Sequence, residues 1–307
     1  MEKIVTITTN AAIDKSTVID SIAPEKKLRC SQPKFEPGGG GINVSRAIKK
    51  LGGNSTALFL CGGHTGNFFQ QLIKQEEIDA IAIPFNGYTR ENLIVLDSST
   101  NQQYRFGMPG GILQEHEWRA VLDELRNSNG YEYAVISGSN ARGVPLTFYD
   151  ELAQIVKEKN AKLVVDTSEE ALEHALQCGV YLVKPNLGEL STLCGVAELD
   201  STNVVEAARS IINKGGCEIM VVSMGAAGAM LITATEYVHV AAPAVKRKST
   251  VGAGDSMVAG ILVALTKGWP LKNVLQYGVA CGTAATINDG TALCNITDVE
   301  RIYNFMQ

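Results

Sequence analysis

Four short runs from residue 133 onward, 133–139 (YAVISGS), 162–166 (KLVVD), 181–186 (YLVKPN) and 219–223 (IMVVS), are β-branched or apolar stretches that close on a polar residue. Runs of this kind suit strands buried on both faces. Between them, 145–159, 168–177 and 201–214 carry apolar residues at helical spacing, and strand–helix alternation builds a parallel sheet covered by helices. The expectation is an α/β fold, a three-layer αβα core around a mainly parallel sheet. Ligands of such sheets bind beyond the carboxyl ends of the strands. Asp14, Ser139, Asp166, Lys184, Asn186 and Ser223 are therefore expected to face one crevice.

Two segments, 15–36 and 87–109, break this alternation: they have strand-like patterns, among them ENLIVLD and QQYRF, with no helix between. They are expected to form a small inserted β-sheet, leaving 1–14, 37–86 and 110–307 as the core. The first segment sets Lys15, Lys26, Lys27, Arg29 and Lys34 against Asp20, Glu25 and Glu36. That local excess of positive charge also suits an ordinary solvated hairpin. With 45% hydrophobic and 19% charged residues the 307-residue chain has enough apolar material for a large core. A net charge of −5 and the absence of a basic tail argue against a nucleic-acid partner. Seven scattered cysteines, none spaced as CxxC, suggest neither a disulfide framework nor a zinc site. The opening MEKIVTITTNAAID lacks the apolar core of a signal peptide, and no membrane-length apolar run follows. A cytoplasmic protein without a membrane partner is expected.

Chemistry concentrates in four places. Ser249 to Ser256 (STVGAGDS) leads into the apolar run MVAGILVAL. Glycines there allow a tight turn whose amides, with the helix dipole, would meet an anion. An aspartate in a first helical turn is equally an ordinary stabilising residue. Glu36-Pro37-Gly38-Gly39-Gly40-Gly41-Ile42-Asn43 runs into the helical VSRAIKKL; it reads as a ligand-facing turn or as a flexible connector. It does not follow the first strand, so it is no dinucleotide fingerprint, and no GxxxxGK[ST] loop exists. Asn186 and Glu189 share a helical face at a strand-to-helix transition; such a pair holds hydrated Mg²⁺ or simply caps a helix. Ser223-Met224-Gly225-Ala226-Ala227-Gly228 follows a buried strand and suits a nucleotide-backing turn or a hairpin.

Taken together, PGGGGINVSRAIKKLGG near the start and STVGAGDSMVAG near the end resemble the two signature regions of the ribokinase-like (PfkB) carbohydrate kinase family. The resemblance spans nearly the whole chain, with Asp14, Lys184-Pro185-Asn186, Glu189 and Ser223-Met224-Gly225 in matching order. It implies ATP and Mg²⁺ as cofactors, with K⁺ as a further cation. Asp255 is implied as the base on the acceptor hydroxyl, beside the amides of Gly252, Ala253 and Gly254. Asp14, Gly39, Gly40, Gly41, Asn43, Arg90 and Ser139 would contact a sugar phosphate, with Lys27 reaching it from the small sheet. Lys184, Asn186, Ser223, Gly225, Gly228 and Thr250 would line the nucleotide site, and Asn186 and Glu189 would hold Mg²⁺ through water. A monovalent cation is implied near Ser249, Val251, Asn288 and Gly290. The small sheet is implied to be both a lid and a homodimer interface.

Within the family, KLRCSQPKFEPGGGGINV, TREN, VISGS and NDGTALC look most like the minor-type 6-phosphofructokinase branch. The 1-phosphofructokinase and tagatose-6-phosphate kinase branches usually carry lysine in the first loop, as GGKG, where this chain has Gly40. The implied acceptor is fructose 6-phosphate, with the substrates of those two branches as the alternative. A binding regulator on the same fold is a further class, expected to lack the base or the magnesium pair. Asp255, Asn186 and Glu189 are all present.

Overall fold

The structure, a computed structural model, describes residues 3–288 and 292–307. Its first third contains β1 (Ile4–Thr8), β2 (Ala12–Ile19), β3 (Lys34–Gly38), α1 (Gly40–Lys50), β4 (Thr56–Cys61), α2 (Gly63–Gln75), β5 (Asp79–Pro84), β6 (Arg90–Asp97) and β7 (Gln102–Phe106). The alternating stretch follows as α3 (Glu115–Asn127), β8 (Tyr133–Ser137), α4 (Thr147–Glu158), β9 (Lys162–Asp166), α5 (Glu169–Gln177), β10 (Val180–Val183), α6 (Leu187–Cys194), α7 (Val204–Ile212) and β11 (Cys217–Ser223). The chain closes with β12 (Ala229–Ile232), β13 (Tyr237–Val240), α8 (Ala253–Thr266), α9 (Leu271–Thr286) and α10 (Ile296–Phe305).

All four anticipated strands are present, each within a few residues of its expected bounds. They belong to a nine-stranded sheet ordered β13-β12-β11-β10-β9-β8-β1-β4-β5. It is parallel from β11 to β5, with β12 and β13 antiparallel at one edge. Successive residues of one strand serve opposite faces: Tyr133 and Val135 pack with α1, α8, α9 and α10, whereas Ala134 and Ile136 pack with α3, α4, α5 and α7. Three layers result. Both faces are apolar because both are covered, which is why these strands read as continuous hydrophobic runs.

The remaining strands form a second sheet, β3-β2-β6-β7, in which β2 and β6 are parallel and the outer pairs antiparallel. Asp14 lies inside β2 and pairs in register with Asn92, so it sits on the small sheet and not at the end of a core strand. Arg90 opens β6. In the described residues no helix is long and apolar enough to cross a membrane, and all seven cysteines are free thiols.

Candidate active site

Gly252, left-handed at φ 72°, turns the chain into α8, whose residues from Ser256 to Ala264 are all buried. Asp255 in the first turn makes no hydrogen bond to its own helix among the described contacts. Instead its Oδ2 accepts from Asn43 Nδ2 at 2.9 Å, and its Oδ1 receives a long contact of 3.5 Å from Ser137 Oγ. Ser137 also reaches Asp166 Oδ2 at 3.4 Å, and Asp166 is ion-paired with Lys184 Nζ at 3.0 Å. Ends of α1, β8, β9 and the strand-to-helix turn after β10 thus converge on the start of α8. Burial pushes the Asp255 carboxyl up to about 7 and the charge of Asp166 adds to the rise, while Asn43, Lys184 and Ser137 oppose it. Burial works to lower the Lys184 pKa, yet the ion pair with Asp166 leaves it raised. Lys184 is therefore a paired, buried cation that lies near Gly254, where an added Cβ would sit 3.5 Å from its Nζ.

A second cluster surrounds Asp14, which is 8% exposed. Asn92 Nδ2 donates to its Oδ1 at 2.8 Å. Burial raises the Asp14 carboxyl, with Asn92 and the nearby Arg90 charge working against the rise. The Arg90 guanidinium donates to the carbonyls of Asn10 (3.1 Å) and Met108 (3.4 Å), and the Asn10 amide in turn donates to the exposed Ser139 at 3.0 Å. Arg90 and Ser139 are joined through Asn10. Lys27 lies on the exposed segment between β2 and β3, and no described contact brings it to the others.

The glycine loop is the partition between the clusters. Gly39 caps α1 at φ 113°, where a side chain is strained. A Cβ on Gly40 would lie 2.4 Å from the Ser137 and Gly138 backbone. Close packing against the end of β8 thus requires glycine at position 40, which makes Gly40 a packing residue and a poor reporter of the acceptor.

On the other side of α8 a cavity of about 630 Å³ is lined by Ser223, Gly225, Ala226, Gly228, Thr250, Ala253, Gly254 and the inner side of α9. The turn after β11 is therefore both a hairpin leading into β12 and a cavity wall. Lys184 and Asn186 are not among the lining residues. Asn186 bridges to Ser223 and forms a reciprocal cap with Glu189: Glu189 N–H donates to Asn186 Oδ1 at 2.9 Å, and Asn186 N–H to Glu189 Oε2 at 2.8 Å. The 249–251 turn lies beside the end of α9, where the Ser249 N–H donates to Thr286 O at 3.2 Å. Val251 N–H donates to Ser249 Oγ at 3.2 Å, and Asn288 Nδ2 donates to Ala284 O and Leu293 O. Gly290 lies outside the described residues.

Sequence reasoning missed Ser137, Asn10 and Asn92 and did not foresee that Asp166 pairs with Lys184. Ser137 ends β8 and could have been chosen over Ser139 from strand length. Asn10 and Asn92 carried no motif. A further contact, Arg105 Nη2 of the small sheet donating to Thr250 Oγ1 at 3.2 Å, had no sequence signal.

The sequence matches the family described as pfkB family carbohydrate kinase over residues 2–298. It is 41% identical over 307 residues to the ATP-dependent 6-phosphofructokinase isozyme 2 of Escherichia coli K12, covering 100% of this chain and 99% of that protein. It is 30% identical to the 1-phosphofructokinase of Bacillus subtilis, covering 93% of each. The structure superposes on the crystal structure of phosphofructokinase-2 from Escherichia coli in complex with potassium with a TM-score of 0.96, 41% identity and coverage of 100% and 99%. With the paired glycine loops, the Asp255 cluster and these likenesses in agreement, the chain belongs to the pfkB family of carbohydrate kinases.

Proposed function

We propose that this chain transfers the γ-phosphoryl group of ATP to the 1-hydroxyl of fructose 6-phosphate, with Asp255 as the base. The observation that carries the reading is that Asp255 is not spent on capping its own helix. Its carboxylate instead meets Asn43 and Ser137 at the ends of α1 and β8, with a proton affinity raised to about 7, the range suited to a general base at neutral pH. The likeness to an ATP-dependent 6-phosphofructokinase at 41%, against 30% for a 1-phosphofructokinase, supports the choice of acceptor.

Phosphoryl transfer asks the protein chiefly for positioning and charge neutralisation. Among the described contacts Arg90 donates only to carbonyls, so although it feels the charge of Asp14 it can anchor the 6-phosphate with Ser139 and Asn10, and Lys27 adds a second cation from the small sheet. Asp14, Asn43 and the loop Gly39 to Gly41 hold the sugar hydroxyls. Asn43 donates to Asp255 and fixes the carboxylate that removes the hydroxyl proton. The amides of Gly252, Ala253 and Gly254 open α8 and receive charge developing on the transferred group. The 630 Å³ cavity beside this turn takes the nucleotide, with Ser223, Gly225, Gly228 and Thr250 on its wall.

The capping pair leaves the second carboxylate oxygen of Glu189 unused by any described hydrogen bond. A hard cation that keeps its waters suits such an oxygen-only anchor, so Asn186 and Glu189 fit hydrated Mg²⁺. When bound, Mg²⁺ neutralises charge on the triphosphate oxygens. The turn holding Ser249 and Val251, with the side-chain oxygen of Asn288, is the corresponding place for K⁺. The small sheet acts as lid and dimer interface, supported by Tyr104, Phe106 and Met108, all left exposed on or beside β7.

The test is ADP release with Mg²⁺ and ATP across fructose 6-phosphate, tagatose 6-phosphate and fructose 1-phosphate. The expected result is the highest kcat/KM for fructose 6-phosphate; a preference for either other sugar overturns the acceptor, and no turnover with any overturns the activity.

A further inference from the structure

Away from the crevice, α4 and α5 bring three different metal-binding side chains together. Asp150 lies in the first turn of α4, His174 in the last turn of α5, and Cys178 is the residue that ends α5. His174 Nε2 lies 3.0 Å from Asp150 Oδ2 and 3.1 Å from Oδ1, and Cys178 Sγ lies 3.2 Å from Asp150 Oδ1. One ligand atom from each falls within 4.8 Å of the other two. Asp150 is exposed, while His174 and Cys178 are half-buried.

We propose that Asp150, His174 and Cys178 form a binding site for a borderline-soft divalent cation such as Zn²⁺. The distances carry the argument. Zinc bonds of about 2.0–2.3 Å in a tetrahedron place neighbouring ligand atoms roughly 3.3–3.7 Å apart. The two distances to Asp150, 3.0 and 3.2 Å, stand close to that spacing and the third pair lies within 4.8 Å, held by hydrogen bonds in which His174 and Cys178 direct their polar atoms at one carboxylate. A divalent cation replaces those hydrogen bonds with bonds to itself. One carboxylate, one imidazole and one thiolate form a mixed O/N/S set that favours Zn²⁺ over the harder Mg²⁺ or Ca²⁺. Binding breaks the Cys178 S–H bond and releases that proton to solvent; His174 gives up the Nε2 proton that bonds Asp150, the ring keeping its N–H at Nδ1, so that the Nε2 lone pair coordinates, and no electron is transferred. The exposed side leaves a fourth position for water. His174 and Cys178 stand one helical turn apart while Asp150 comes from another helix, which explains why cysteine spacing gave no hint of the site.

Co²⁺ titrated into reduced, chelator-dialysed protein is the test, because a thiolate bonded to Co²⁺ gives a charge-transfer band in the near ultraviolet and a tetrahedral site gives strong visible bands. One equivalent is expected to bind, to be displaced by one equivalent of Zn²⁺, and to raise the melting temperature through preferential binding to the folded state. Cys178→Ser should abolish the charge-transfer band. His174→Ala should weaken binding by more than the 10- to 100-fold that loss of an outer partner typically costs. Cys30→Ser, at the exposed cysteine, should change nothing. A band that survives Cys178→Ser, a band that vanishes with Cys30→Ser, or no stoichiometric binding in the unaltered protein overturns the proposal.

Discussion

Aspartate and asparagine cap a helix about equally well, so Asp255→Asn separates a structural carboxylate from a working one. As a lost general base it should reduce kcat by roughly 10²- to 10⁴-fold, about 3–5.5 kcal/mol of barrier, with the KM for sugar phosphate little changed. Near-normal kcat in the folded variant removes Asp255 from the mechanism. The same residue sets two pH dependences. The base must be ionised, so kcat/KM should fall as pH drops through about 7; because a sugar phosphate itself titrates near 6, kcat at saturating substrate is the companion measurement. For stability, a carboxyl whose folded pKa lies above its unfolded value binds more protons when folded, so stability declines as pH rises from about 4 towards 7. The melting temperatures of the Asp255→Asn variant and the parent should therefore coincide near pH 4, with the variant the higher at pH 8; an unchanged gap across that range contradicts a raised pKa. Glu189→Gln is a second clean exchange, because glutamine can complete the same reciprocal cap. It should leave the melting temperature unchanged and shift the Mg²⁺ requirement upward; a normal magnesium titration confines Glu189 to capping. Asp255 and Glu189 were legible because glycines and helix starts bracket them. Ser137, Asn10 and Asn92 were not, since each matters through a partner remote in sequence that only the fold supplies.

Elements were more legible than contacts, for a physical reason. Strands covered on both faces must be apolar throughout, so β8, β9, β10 and β11 announced themselves, and the helices between them showed their buried stripes. The pairing of the small sheet was hidden: β2 joins β6 in parallel across a separation of more than seventy residues, and nothing local marks that partnership. Also hidden was the buried arginine that ties elements together. Arg46 of α1, its side chain 2% exposed, bonds Glu36 at 3.3 Å and Glu76 at 2.6 Å and donates to Pro37 O at 2.9 Å and, more weakly, to Asn43 Oδ1 at 3.5 Å. It links β3, α1 and the end of α2, and it holds the loop whose Asn43 meets Asp255. Removing one partner of a buried pair typically costs about 3–5 kcal/mol. Arg46→Met should fall near the lower end, because Lys34 still reaches Glu36 at 3.0 Å. Denaturant unfolding measures this; a loss below about 1 kcal/mol would mean that the network contributes little more than a surface pair.

At the scale of the whole molecule the small sheet is the part whose two faces need different explanations. In-register pairing puts Asp14, Asn92 and Arg105 on one face, where Asn92 bonds Asp14 and Arg105 reaches across to Thr250 of the core. Phe35, Lys15, Leu93 and Phe106 line up across the four strands on the opposite face. Phe106 there is 47% exposed, and Tyr104, two residues along the same strand, is 38% exposed. Apolar side chains grouped in this way suit cover by another molecule, and a second copy of the same sheet, paired isologously, is the cover proposed here. If the sheet is both lid and interface, the polar face serves the sugar while the apolar face sets the assembly, and one substitution should disturb both. Phe106→Asp places a charge on the apolar face without emptying any core position, so the folded chain should melt within a few degrees of the parent. It should sediment as a monomer where the parent sediments as a dimer. The KM for sugar phosphate should rise at least about tenfold, roughly 1.4 kcal/mol, because a lid without its support would no longer hold Lys27 in the place proposed for it over the phosphate. The KM for ATP should change little, since the cavity proposed for the nucleotide is built from α8, α9 and the turn after β11. Sedimentation and the two KM values together decide the matter: a Phe106→Asp dimer with normal sugar affinity would place the interface elsewhere and leave the small sheet as a lid alone.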